Sequence, residues 1–176
     1  MNPIQALATI ISGMVNDEGV IKLPGFYDDV LPLSGEERDQ LKKLGLNDDF
    51  YLDQTESMTL FGEEGYTPTE RVGARPTLDV NGIIGGYTGE GPKTVIPSKA
   101  IAKLSTRLVP NQTPEKVKDQ LHEYMNQHAP KQIEWEVRQL SSDPACITNP
   151  KFYATRCFAE TLQTVEYPPQ LLCPAI

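Results

Sequence analysis

The stretch from Arg75 to Pro110, RPTLDVNGIIGGYTGEGPKTVIPSKAIAKLSTRLVP, constrains the fold more than any other part of the chain. It reads as two strand-like runs joined through a glycine-rich connection. Leu78, Val80 and then Ile83 with Ile84 give a short alternating run, while Ala100, Ala102, Leu104, Thr106 and Leu108 share one face of the next. Lys103, Ser105 and Arg107 therefore share the other face. A sheet that packs on helices through one face and carries a guanidinium on its open face suits a carboxylate or phosphate, because the guanidinium fork donates two parallel hydrogen bonds. The competing reading is a surface arginine paired with a nearby carboxylate and doing nothing more.

The connection holds five glycines, from Gly82 to Gly91, followed by Lys93 and Thr94. A phosphate-cradling loop needs its lysine directly after the glycine and a helix behind it. Here Pro92 intervenes, and Val95 to Pro97 and Ala100 to Val109 carry strand periodicity, which argues against a nucleotide site. The glycines instead permit positive φ and close approach of the backbone to a ligand or neighbouring chain. Gly89, Gly91 and Thr94 can offer amides and a hydroxyl to a substrate, or simply connect two strands.

A chain of 176 residues with 39% hydrophobic content can bury one real core. Its net charge of -8 argues against nucleic acid, whose phosphates repel it. No apolar run approaches bilayer length, and the start lacks the basic and apolar regions of a signal peptide, so a cytoplasmic setting is expected. Cys146, Cys157 and Cys173 lie far apart, which fits reduced thiols. The two histidines, His122 and His128, fall in one expected helix six residues apart and point roughly 120° away from each other, so they do not chelate one ion. The adjacent acids Asp28 with Asp29, Asp48 with Asp49 and Glu63 with Glu64 lack histidine companions and read as solubilising charges. No metal ligand set and no group of nucleophile, base and orienting residue emerges, which argues against an autonomous hydrolase.

The remaining pattern predicts a two-layer α+β domain with a long insertion. Asn2 and Pro3 start a helix with an apolar stripe of Ile4, Leu7, Ala8, Ile11, Met14 and Val15, ending near Gly19. Residues 20–71 form an acidic insertion with a capping box at Ser34 and Glu37 and a second helix start at Thr67, Pro68 and Glu70. Thr113 and Pro114 open a helix whose Val117, Leu121 and Met125 face inward, and Ile133, Trp135 and Val137 alternate with Glu134, Glu136 and Arg138 in a last strand. This order is a ferredoxin-like βαββαβ fold lacking its first strand, which should leave a sheet edge open to another chain. Asn149 and Pro150 open a C-terminal helix with Phe152, Tyr153, Cys157 and Leu162.

YTGEGPKTVIPSKAIAKLSTRLVPNQTPEKV, with RPTLDVNGI before it, resembles the lid, or dimerisation, domain of di-zinc peptidases, in particular the carnosine-dipeptidase-like branch. The likeness runs from Asn2 to about Val165, and NPIQALATI looks like the helix that follows the family's His-Ser-Gly lid motif, itself absent here. The resemblance implies a lid domain over residues 1–142 with its insertion at about 20–71, and over 143–176 a remnant of a catalytic-domain helix with an aberrant tail, EYPPQLLCPAI. A truncation or shifted reading frame is one expectation for that tail. The implied role is substrate-carboxylate binding by Arg107, with Thr94 near the scissile group, plus a homodimer interface, all in the service of dipeptide hydrolysis. Two zinc ions are expected in the intact enzyme's separate catalytic domain and none in this chain, which is then inactive alone. The alternatives are a stand-alone dimerising interaction module and a non-functional gene product.

Overall fold

The computed structural model describes residues 1–147, 152, 153 and 155–157. Among the described residues the elements run in the order α1 (Pro3–Ser12), α2 (Gly35–Lys43), α3 (Asp48–Thr55), α4 (Pro68–Ala74), β1 (Thr77–Gly85), β2 (Ala100–Arg107) and α5 (Pro114–His128). Local chemistry sets their starts. Asn2, Ser34, Asn47, Thr67 and Thr113 each accept a hydrogen bond from a first-turn amide, and Ser34 with Glu37 and Thr67 with Glu70 close reciprocal capping boxes. The α+β class is as expected from the sequence.

α1 ends earlier than its apolar pattern suggests. Gly13 caps it, and residues beyond it turn back in a small hairpin closed by a bridge between Val15 and Ile21. Asn16 accepts from the Val20 amide at 2.7 Å, and Gly19 takes φ 76°, so turn chemistry overrides helical periodicity here. The stripe rotates accordingly. Ala6, Ile10 and Met14 are buried, Ile4, Leu7, Ile11 and Val15 are half-buried, and Ala8 is exposed. Ile4 packs instead against Gly85 and Gly86, where a Cβ would come within 3.1 and 3.0 Å of its side chain.

The core gathers Ile10, Met14, Ile21, Leu23, Phe26, Val117, Tyr124 and Met125. Ile21, Leu23 and Phe26 come from the beginning of the acidic segment, which therefore supplies core as well as surface. Two long-range hydrogen bonds lock the layers: Tyr124 Oη donates to the Ile10 carbonyl at 3.0 Å, and Gln112 Nε2 donates to the Phe26 carbonyl at 2.8 Å. The first satisfies a carbonyl in the last turn of α1, which the helix itself leaves without an amide. A Cβ at Gly13 would sit 2.6 Å from the Tyr124 hydroxyl, so the helix must end in glycine for α5 to come this close. Tyr124→Phe is expected to lower stability by about 1–2 kcal/mol in urea unfolding, because it strands a buried acceptor; an unchanged midpoint would assign the bond no role.

β1 and β2 pair antiparallel as the only sheet among the described residues. The register shifts at Asn81, between Val80 and Gly82. This bulge explains the irregular apolar spacing of β1, since it returns Ile83 to the face of Leu78 and Val80. The expected last strand does not join. Residues 133–138 keep the alternation, with Ile133, Trp135 and Val137 half-buried against the core and their neighbours exposed, yet they form no ladder. Tyr153 and residues 155–157 are helical, in keeping with the expected C-terminal helix; its start at Asn149 and Pro150, Leu162, Cys173 and the proline-rich tail lie outside the described residues. Among the described residues no helix is long and apolar enough to cross a membrane.

Candidate functional site

Cross-strand partners assign the residues of the sheet to its two faces. Leu78 with Thr106, Val80 with Leu104, Ile83 with Ala102 and Gly85 with Ala100 look toward the helices, while Thr77 with Arg107, Asp79 with Ser105, Gly82 with Lys103 and Ile84 with Ile101 form the open face. The half-buried and exposed residues of β2 alternate without interruption, so Lys103, Ser105 and Arg107 point away from the core as the sequence suggests.

Arg107 ends β2. It is exposed and makes no ion pair among the described residues. The nearest acid on its face is the diagonal neighbour Asp79, whose carboxylate accepts from the Thr77 hydroxyl at 2.8 Å. The guanidinium is thus available to an external anion. Thr94 lies in the exposed connection of residues 86–99, which has no regular structure. That connection enters β2 at Ala100, and Arg107 stands seven residues on, about 23 Å along an extended strand. Thr94 thus lies outside β2, six residues before its start, while Arg107 closes the strand. Within the connection, Tyr87 donates its hydroxyl to the Glu90 carbonyl at 3.0 Å and its ring lies 5.0 Å from the Lys93 ammonium. A strand follows the glycines, which removes the helix that a phosphate loop requires.

The residues described do not fit a zinc centre. No group of three or more His, Cys, Asp or Glu side chains gathers among them. His128 lies against Tyr124 at 4.2 Å between rings, and half-buried His122 lies 5.7 Å from Trp135, so each imidazole meets an aromatic neighbour instead of a second ligand.

The most structured polar cluster has no local signature in the sequence. Arg75 clamps Glu63 through two hydrogen bonds, 2.8 Å from Nε and 2.6 Å from Nη2, and its guanidinium lies 5.0 Å from the Tyr27 ring and 4.3 Å from the Tyr66 ring. Burial works against the Arg75 charge, but the Glu63 carboxylate outweighs it and holds the guanidinium pKa above its ordinary value. Glu63 is therefore a structural anchor and not merely a solubilising charge. A groove of about 460 Å³ nearby is lined by Arg38, Lys42, Tyr66, Glu70 and Arg71. Arg38 reaches the buried Glu70 carboxylate at 3.2 Å, and Arg71 donates to the Glu63 backbone carbonyl at 2.9 Å, so both guanidiniums have partners within the domain.

Residues 1–133 match the model of the peptidase dimerisation domain. The chain is similar to the Beta-Ala-His dipeptidase of Homo sapiens, 30% identical over 123 residues, covering 70% of this chain and 24% of the relative. It is similar also to the Cys-Gly metallodipeptidase dug1 of Schizosaccharomyces pombe, 33% identical over 134 residues, covering 70% and 26%. The crystal structure of the M20 family metallo-carboxypeptidase Sso-CP2 from Sulfolobus solfataricus superposes with a TM-score of 0.79 at 32% identity, covering 93% of this chain and 42% of that one. The chain spans about a quarter of the length of the curated dipeptidases it matches.

Proposed function

Because this chain belongs to the peptidase dimerisation domain family, we propose that it serves as the lid and dimer-forming domain of a metal-dependent dipeptidase, in which Arg107 grips the substrate carboxylate. The observation that carries this reading is the open-face guanidinium at the end of β2, without an ion pair among the described residues. Its two outer N–H directions suit a carboxylate bound bidentately. Thr94, from the glycine-rich connection, contributes a hydroxyl near the scissile group. Metal-activated water attack belongs to a separate catalytic domain with two zinc ions, and this chain alone is inactive. The domain extends over residues 1–142, with residues 143–176 returning toward the catalytic domain, and the setting is cytoplasmic. The order α1, β1, β2, α5 and the extended segment 133–138 supports a ferredoxin-like lid.

A homodimer joined at the outer edge of β1 completes the proposal. Val80 and Ile83 lie on the helix-facing side of β1, yet they remain 40% and 60% exposed, so the helices of one chain leave them uncovered. A second copy pairing along β1 would satisfy the free backbone edge and cover both side chains. Sedimentation velocity of the whole chain tests this. The native chain is expected to dimerise and Ile83→Asp to weaken dimerisation by about a hundredfold, since it places a carboxylate in an apolar contact. A monomeric native chain at all concentrations, or a dimer indifferent to the substitution, would refute the arrangement.

A further inference from the structure

The groove beside α2 and α4 holds charges that the fold does not use. Arg38 and the buried Glu70 meet at 3.2 Å, and Glu70 also accepts from the Thr67 amide at 2.7 Å, so this pair is closed within the domain. Three other groups are not. The Lys42 ammonium and the Asp48 carboxylate line the same groove, yet neither has an ion pair among the described residues. Arg71 spends only its Nε, on the Glu63 carbonyl at 2.9 Å, which leaves both Nη groups without a bond among the described residues. The walls are held from behind. Thr69 Oγ1 donates to the Leu46 carbonyl at 2.7 Å and ties α4 to the entry into α3, while the guanidiniums of Arg75 and Arg38 lie 4.3 and 5.1 Å from the Tyr66 ring. Gly62 lets the Arg71 side chain pass close by, since a Cβ there would come within 2.9 Å of its Cδ. The space of about 460 Å³ falls within the range of about 300–1,000 Å³ that small-molecule sites occupy.

Charge selects the ligand. A bare anion meets the uncompensated Asp48, and a bare cation meets Lys42 and Arg71, whereas a molecule carrying both signs meets neither penalty. We propose that this groove binds a small zwitterion, a free amino acid or a dipeptide, with its ammonium at Asp48 and its carboxylate at Arg71 and Lys42. The planar Nη pair of Arg71 can donate to two carboxylate oxygens in parallel, and Lys42 adds a point charge. Leu60, Tyr66 and Pro68 supply apolar surface for the ligand's side chain. All these residues fall within 38–71 and none belongs to the sheet, so the site stands independently of the role proposed for Arg107.

The test titrates the full chain with leucine by calorimetry and follows backbone amide shifts. The expected result is saturation, with shifts at Asp48, Tyr66 and Arg71. N-acetyl-leucine, which lacks the ammonium, and leucine amide, which lacks the carboxylate, should each bind at least about tenfold more weakly. Asp48→Asn should lower leucine to the level of N-acetyl-leucine, and Lys42→Gln should weaken both of these while sparing leucine amide. Neither side chain has an ion pair to lose, so both variants should fold as the native chain does. Glycyl-leucine forms a second arm: the same dependence on Asp48 and Lys42 is expected, and the tighter ligand tells whether a dipeptide or a free amino acid occupies the groove. No saturation by either ligand, binding of inorganic phosphate or N-acetyl-leucine as tight as that of leucine, or affinity unmoved by both substitutions would overturn the proposal. So would shifts confined to Lys103 to Arg107, which place the ligand on the open face of the sheet.

Discussion

Arg75→Ala is expected to destabilise the fold by about 3–5 kcal/mol, because it removes the partner of a carboxylate that has little access to water. The Arg75 side chain is 9% exposed and that of Glu63 14%, and the two share a bidentate pair flanked by two aromatic rings. The guanidinium also ties three stretches together: Tyr27 from the core-forming start of the acidic segment, Glu63 and Tyr66 from its end, and the entry into β1. Arg75→Lys keeps the charge but loses the fork and the stacking, and it should fall between the native chain and alanine. Urea unfolding measures both. The double substitution Arg75→Met with Glu63→Gln should recover part of the loss, since it removes the stranded charge as well as its partner. A loss below about 1 kcal/mol for Arg75→Ala would class the pair with exposed ion pairs of little weight.

The second large effect concerns the proposed role of Arg107. In the intact enzyme, formed with a catalytic domain, Arg107→Ala should lower kcat/KM for a dipeptide about a hundredfold, from the loss of about 2–3 kcal/mol of charge-assisted hydrogen bonding. A substrate with its C-terminal carboxylate converted to an amide should suffer the same loss with the native enzyme and little further loss with the variant. Such a cycle isolates the contact between guanidinium and carboxylate. Kinetics unchanged by the substitution, or an amide substrate as sensitive to it as the acid, would remove Arg107 from substrate binding. Arg75 and Arg107 are linked by the sheet, because Thr77, the partner of Arg107, follows Arg75 by two residues. Stability must therefore be compared alongside activity in both variants.

What was legible in the sequence was local. The capping residues at Asn2, Ser34, Thr67 and Thr113 act within three residues of themselves, and the facing of β2 needs only its period of two. Arg107 could be singled out on that basis. The bulge at Asn81 was hidden, although the doubled apolar pair at Ile83 and Ile84 was its trace. The early end of α1 was missed because Met14 and Val15 continue a helical apolar rhythm while actually belonging to a hairpin with Ile21. Arg75 gave no signal at all: Tyr27 lies 48 residues before it, and nothing near either position announces the other. The alternation of Ile133, Trp135 and Val137 correctly marked burial and wrongly implied a ladder, since a pattern of side chains says nothing about which backbone stands beside it.

The two bonds that lock the layers join residues 114 and 86 positions apart, Tyr124 to Ile10 and Gln112 to Phe26. On a ribosome this separation becomes waiting time. At about 5–20 residues per second, α1 and the apolar residues up to Phe26 spend several seconds in the open before α5 is synthesised to cover them. Neither the strands nor the insertion can substitute for α5, because Val117, Tyr124 and Met125 form the other half of the same core. The segment from α1 to Phe26 must therefore wait uncovered until α5 has emerged, and that distant helix decides whether α1 is ever buried.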